Sequence, residues 1–277
     1  MNYNPYWPKI SIVTPSLNQG EFIEKTINSV LSQNYPALEY IIMDGGSTDG
    51  SVEIIKKYAD RLTYWESGPD QGQADAIYRG FERSTGEILG YLNSDDILLP
   101  GCLEKVGRFF MAYPKEEWVV GGTVAIGPNG QHFYDRIGTP SCNLGASVSF
   151  GRLLFSGCGF IQPASFWRRG PFFAVGGFDR SLQFCFDYDL YFRLAQRRPS
   201  GQIKEFLACF RHHPKSKSCT IRNICDSEND ILWKKYGRYQ KSKLYRKMAA
   251  FSYSLENRIK HRIIQIKIFL GLLRCPT

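Results

Sequence analysis

The chain has 277 residues, 43% of them hydrophobic and 14% aromatic. That is enough apolar surface for one large domain or two small ones, and it excludes a disordered chain or a fibre. The formal charge of +9 is uneven: residues 1–200 hold 18 Lys/Arg against 21 Asp/Glu, and residues 201–277 hold 17 against 5. A mildly acidic body with a basic tail argues against a nucleic-acid-binding protein. Eight cysteines occur without a CxxC pair, and no leader is visible at the N-terminus. Free thiols in a reducing compartment are the expectation. No run of 18 apolar residues is present, so no ordinary membrane span is expected.

The first third alternates between strand and helix patterns. Ile10 to Thr14 reads as a strand, followed by a turn at Pro15 to Gly20. Phe22, Ile23, Ile27, Val30 and Leu31 recur at helical spacing until Asn34-Tyr35-Pro36 stops them. Leu38 to Met43 is a second strand, and Val52, Ile54, Ile55 and Tyr58 mark a second helix. Leu62 to Trp65 is a third strand, Ala74 to Phe81 a third helix, and Ile88 to Leu92 a fourth strand. Such alternation predicts βαβ units, a mostly parallel sheet, and a ligand crevice beyond the C-terminal strand ends.

The middle is less regular. Trp118 to Ile126 reads as a strand, with Pro128-Asn129-Gly130 turning back toward His132 to Tyr134. Residues 138–157 are rich in Gly and Ser without a period, and are expected to form a loop over a site. Phe160 to Trp167 contains a proline, and Gly176 to Asp179 is a turn. Asp187 to Ala195 is a helix and Ile203 to Phe210 a strand that delivers His212 and His213 to a polar loop. From Ser227 onward the pattern is helical. Ile259, Ile263, Ile266, Leu270 and Leu273 form an apolar stripe among Arg and Lys. Such a helix suits an anionic membrane surface or a packed interface equally.

Three acidic motifs carry candidate chemistry. Asn93-Ser94-Asp95-Asp96 ends a strand, and adjacent carboxylates there call for a cation, unless Asp96 simply caps the next helix. Asp44-Gly45-Gly46-Ser47 lets a ligand approach the backbone, or is a plain capped turn. Asp187 and Asp189 open a helix, where a general base can wait; two residues apart, they point different ways, so one is structural. His212, His213, Lys215 and Lys217 can meet a diphosphate. No dinucleotide fingerprint, P-loop or nucleophile elbow occurs.

Taken together, these segments resemble glycosyltransferase family 2, in the branch that builds bacterial capsules, O-antigens and exopolysaccharides. The resemblance rests on Ser11 to Asn18, Gln33 to Pro36, Asp44 to Gly50, Gly68 to Ala76, Gly86 to Ile88, Tyr91 to Asp96, Gly176 to Asp179 and Asp187 to Leu190. It implies an α/β GT-A fold with a mostly parallel sheet flanked by helices. Residues 1–220 would be the catalytic domain and residues 221–277 a basic helical extension. Thr14, Pro15, Asp44, Asp70, Asn93, Ser94 and His213 would meet the nucleotide-sugar, Asp95 the metal (Mn²⁺ or Mg²⁺), and Asp187 would be the base. Asn93, Gly45 and Phe186 depart from acidic positions of the family pattern.

The implied activity is inverting transfer of a hexose or N-acetylhexosamine, most often from UDP, to a glycan or lipid-linked saccharide. The place would be the cytoplasm, with peripheral contact to the inner face of the membrane through the tail. A nucleotidyltransferase-like sugar-phosphate enzyme and a degenerate nucleotide-sugar-binding scaffold remain as alternatives.

Overall fold

The computed structural model describes residues 6–133, 142–157 and 162–269. The chain opens with β1 (Ile10–Ser16), α1 (Ile23–Leu31), β2 (Leu38–Asp44), α2 (Ser51–Lys57), β3 (Tyr64–Ser67), α3 (Gln73–Arg83) and β4 (Ile88–Tyr91). This is the alternation that the apolar spacing predicts. Then come β5 (Ile97–Leu98), α4 (Cys102–Ala112), β6 (Trp118–Ile126), β7 (Cys142–Asn143), α5 (Phe150–Ser156), β8 (Ser165–Arg168) and α6 (Arg169–Ala174). The C-terminal part adds α7 (Phe186–Arg197), β9 (Gly201–Arg211), α8 (Lys217–Thr220), α9 (Arg222–Lys235) and α10 (Lys243–Phe269).

The strands form one sheet in the order β3-β2-β1-β4-β8-β6-β9-β5, with β7 beside β6. β1 runs parallel to β2 and β4, and β2 parallel to β3. Beyond β4 the sheet is mixed. β8 is antiparallel to both β4 and β6, whereas β9 is parallel to β6. Every residue of β1 is buried, as expected of a parallel strand covered on both faces. Successive side chains serve opposite cores. Val13 joins Ile41, Met43 and Leu89 under α3 and α7. Ile10 and Ile12 join Tyr40, Ile42 and Ile88 under α1 and α4. The α3 contact is so close that a Cβ on Gly80 would stand 2.6 Å from a Val13 methyl.

The stretch 138–157 is not all loop. It contains β7 and α5, and Ser149 caps α5 by accepting the Arg152 N–H at 3.3 Å. A seven-residue helix spans under two turns, too short to show a period. The turn after β6 is as expected, and Ile126 bridges His132 antiparallel. Tyr134, residues 138–141, Phe160, Leu270 and Leu273 lie outside the described residues. Cys102, Cys185, Cys219 and Cys225 are free thiols.

α10 has two apolar faces. One packs on α5, with an Arg152–Glu256 ion pair of 2.7 Å, and buries Ile264 beside Leu99, Val124, Ile126 and Phe206. The other exposes Leu244, Met248, Phe251, Leu255, Ile259, Ile263 and Ile266. Among the described residues, no helix is long and apolar enough to cross a membrane.

Candidate functional site

β1 leads to β2 on one side, while β4 lies on its other side. Connections that part in this way open a crevice at the strand ends. A cleft of about 480 Å³ lies there. Pro15 and Ser16 line it from the end of β1, and Asn93, Ser94 and Asp95 from just past β4. Asp70 and Gln73 enter from the start of α3, and Arg180, Lys215 and Lys217 supply cations. A second cleft of about 620 Å³, between α1 and the β5 end, holds none of the expected site residues.

The cleft thus gathers Pro15, Asp70, Asn93, Ser94 and Asp95, but its lining does not include Thr14, Asp44, His213 or Asp187. Thr14 is buried, with its hydroxyl 3.1 Å from that of Tyr40. Asp44 is buried too. It accepts the N–H groups of Gly46 and Ser47 and the hydroxyls of Ser47 and Ser67, at 2.5–3.1 Å. Its carboxylate therefore sets the loop after β2. Asp70 accepts the Gly72 N–H at 2.8 Å. One Asp70 oxygen lies 2.9 Å from where a Cβ on Gly45 would stand, so the Asp70 carboxylate occupies the space of a side chain at 45.

The strand-end carboxylates differ in setting. Asp96 is fully buried and does not cap a helix; α4 starts after Gly101. One Asp96 oxygen accepts the Arg211 N–H at 2.8 Å, and the other meets the Asn93 amide at 3.4 Å. Burial, then the Asp95 charge, pushes the Asp96 carboxyl well up. Asp95 is partly open to solvent, and its Oδ2 lies 3.0 Å from His213 Nε2. The His213 ring is buried against Phe22, with centroids 4.6 Å apart. The Arg211 guanidinium, buried under this loop, donates to the carbonyls of Asp95, Gly127 and Pro128.

Asn93 is the hub of a polar string. Its Oδ1 accepts from Gln73 Nε2 at 2.6 Å, and Gln73 Oε1 accepts from Lys217 Nζ at 2.8 Å. An amide suits position 93 because it both accepts from Gln73 and donates toward buried Asp96. Gln73 lies in the Gly68 to Ala76 segment that carries the family resemblance, but no role is expected of it there. Burial draws the Lys217 ammonium down, opposed by the charges of Asp187 and Glu228.

Asp187 sits in the first turn of α7, half-buried. Burial pushes its carboxyl up to about 6, against the Tyr188 N–H, the Lys217 charge and the Tyr91 hydroxyl. The Phe186 ring next to it packs against Tyr91 at the end of β4, with centroids 6.1 Å apart, and Lys217 Nζ lies 5.6 Å from the same ring. Asp189 faces elsewhere and is structural. It accepts from Arg193, Lys235 and Tyr236, each at 2.8 Å.

The profile of glycosyl transferase family 2 matches residues 11–172, more than half of the chain. The chain belongs to that family, and its α/β architecture is of the GT-A type. An uncharacterized glycosyltransferase of Rickettsia felis is 28% identical over 241 residues, covering 84% of this chain but only 39% of its own length. The chain thus spans about two fifths of that relative. S. aureus TarS 1–349, solved in complex with UDP-GlcNAc, superposes with a TM-score of 0.60 at 16% identity, covering 87% of this chain and 70% of that one. The mannosyltransferase PcManGT of Pyrobaculum calidifontis, solved with GDP-Man and Mn²⁺, gives 0.59 at 17% identity, covering 86% and 66%. These two establish likeness of fold.

A family of this kind implies a divalent metal. Among the described residues, no group of three or more His, Cys, Asp or Glu could hold one. The Asp95–His213 pair does converge beside the cleft, offering a carboxylate oxygen and an imidazole nitrogen. That pair fits Mn²⁺ or Mg²⁺ when oxygen ligands from a diphosphate complete the shell.

Proposed function

We propose that the chain is an inverting glycosyltransferase. It would move a hexose or N-acetylhexosamine from a nucleoside diphosphate, most simply UDP, to a hydroxyl of a glycan or lipid-linked saccharide in bacterial surface-polysaccharide synthesis. The observation that carries this reading is the packing of Phe186, the residue before Asp187, against Tyr91 at the end of β4, with ring centroids 6.1 Å apart. It supports a base at Asp187, whose carboxyl burial raises to about 6, beside the strand end where Asn93–Asp95 line the cleft. Residues 1–220 serve as the catalytic domain and residues 221–277 as its extension.

In this reading Pro15 and Thr14 support the nucleoside at the end of β1, with Asp44 holding the adjoining loop and Asp70 facing the ligand. Asn93 and Ser94 meet the sugar diphosphate. Asp187 takes the proton of the acceptor hydroxyl as its oxygen attacks the anomeric carbon. The bond to the diphosphate breaks on the opposite face, and the leaving diphosphate keeps the electron pair. Lys217, Lys215 and Arg180 line the same cleft and offset that charge. A metal held by Asp95 and His213 would supply further charge on the diphosphate.

The basic tail and the exposed apolar face of α10 support peripheral contact with an anionic membrane, on the cytoplasmic side where lipid-linked acceptors are met. The test of function is nucleotide release from a panel of UDP-, GDP- and dTDP-sugars with Mn²⁺, Mg²⁺ or EDTA. Release of a nucleoside diphosphate from one donor, lost with EDTA, is the expected result. Release of pyrophosphate would favour a nucleotidyltransferase, and absence of binding to every donor a scaffold.

A further inference from the structure

α7 begins without a cap of its own: Cys185, the residue before it, makes no capping bond through its side chain. The first N–H groups of a helix, and those just before it, need acceptors. Here one side chain from a distant helix supplies acceptors for the N–H groups just before α7. Glu228 of α9 accepts the Gln183 N–H on Oε1 at 2.7 Å, and the N–H groups of Phe184 and Cys185 on Oε2 at 2.9 and 2.7 Å. Glu228 as a whole is only 7% exposed.

The segment so held is short and consequential. Leu182 and Gln183 line the cleft at one end, and Asp187 follows two residues past Cys185 at the other. α9 grips α7 a second time, where Lys235 and Tyr236 reach Asp189. The Tyr236 ring also stacks on Phe192, with centroids 4.3 Å apart. Two anchors on one helix stop α7 from rolling about its axis. Roll is the motion that would swing the Asp187 side chain, which leaves the helix sideways.

We propose that Glu228 is a positioning residue for the reaction: by holding the backbone N–H groups of Gln183, Phe184 and Cys185, it sets where the Asp187 carboxylate points. This rests on the reading of Asp187 as the base. The residue lies beyond the 11–172 segment that matches the family, so the C-terminal extension contributes to the site itself. A reacting group displaced by about 1 Å costs on the order of 100-fold in rate.

The test compares the full chain with Glu228→Gln and Asp187→Asn, using whichever sugar nucleotide of the UDP, GDP and dTDP panel is hydrolysed. Glu228→Gln keeps the shape but turns an NH₂ group toward a backbone N–H. The expected result is a roughly 10- to 100-fold fall in kcat with donor KM within twofold. Its acid limb should move down from about 6 as water reaches the carboxyl. Faster amide exchange should be confined to residues 183–190. Unchanged kcat and acid limb in Glu228→Gln, with Asp187→Asn inactive, would overturn the positioning role alone. Full turnover by Asp187→Asn would overturn the base reading and the positioning role together. If no donor is hydrolysed, exchange decides: unaltered protection at 183–190 in Glu228→Gln overturns the proposal, and selective loss there supports it.

Discussion

A carboxyl that is to take a proton near neutrality must not bind it too weakly, and burial is what adjusts Asp187. With that group at about 6, turnover should fall about tenfold per pH unit below 6 and level off above it. Asp187→Asn should lower turnover by roughly 100- to 10,000-fold. The same burial has a cost to folding. Between the ordinary carboxylate value of 3.8 and about 6, the folded chain holds a proton that the unfolded chain has lost. Stability therefore declines as pH rises through that window. Asp187→Asn should be more stable than the native chain by about 1–3 kcal/mol above pH 6, and the gap should close below the window. Denaturant titrations at two pH values would show it. Asn93 makes the converse case. Asn93→Asp would set a third carboxylate against Asp95 and buried Asp96, so it should destabilise by about 1–3 kcal/mol. Mn²⁺ should restore more of the melting temperature in Asn93→Asp than it adds to the native chain.

At the scale of elements, the outcome depended on length and on partners. Helices α1 and α3 announced themselves through apolar spacing, because each lays one stripe on the sheet. α5 did not, being too short for a period, and the Ser149 cap was lost among neighbouring serines. α7 was legible as a helix, and its two aspartates as unlike in role. The use of Glu228 was not legible, since an acid in a basic tail reads as a solvated charge. One clue was available: Glu228, Leu232 and Lys235 share a helix face, as residues four and three apart do. The proposed membrane contact rests on the exposed outer face of α10. Phe251→Glu with Leu255→Glu should abolish flotation with anionic vesicles while leaving the melting temperature within a few degrees, because both side chains are exposed. Flotation equal to the native chain would remove the membrane role.

For the whole molecule, the parallel half of the sheet was readable because βαβ units are local: each strand is followed by the helix that returns it. The far half pairs strands widely separated in sequence, such as β4 with β8 and β6 with β9. No local pattern encodes such partners. The site straddles both halves in the same way. Pro15, Asp70 and Asn93–Asp95 come from the readable half and fall together at the strand ends as expected. Lys217, His213 and Asp187 come from the other. Their position relative to the first group follows from contacts such as Gln73–Lys217, Asp95–His213 and Tyr91–Phe186. Family likeness could suggest those residues, but spacing could not.

The two terminal helices therefore face unequal freedom to diverge. α9 is bound to α7 through Glu228, Lys235 and Tyr236, and buries Leu232 in the core beneath it. Among the described residues, the outer face of α10 carries no comparable tie. Under the proposed function, descendants of this chain can re-charge or re-surface that last face, and so change where such an enzyme is stationed, while the proposed base stays aimed. They cannot shed α9 on the same terms. On that reading, address and chemistry are encoded in adjacent helices yet can drift apart.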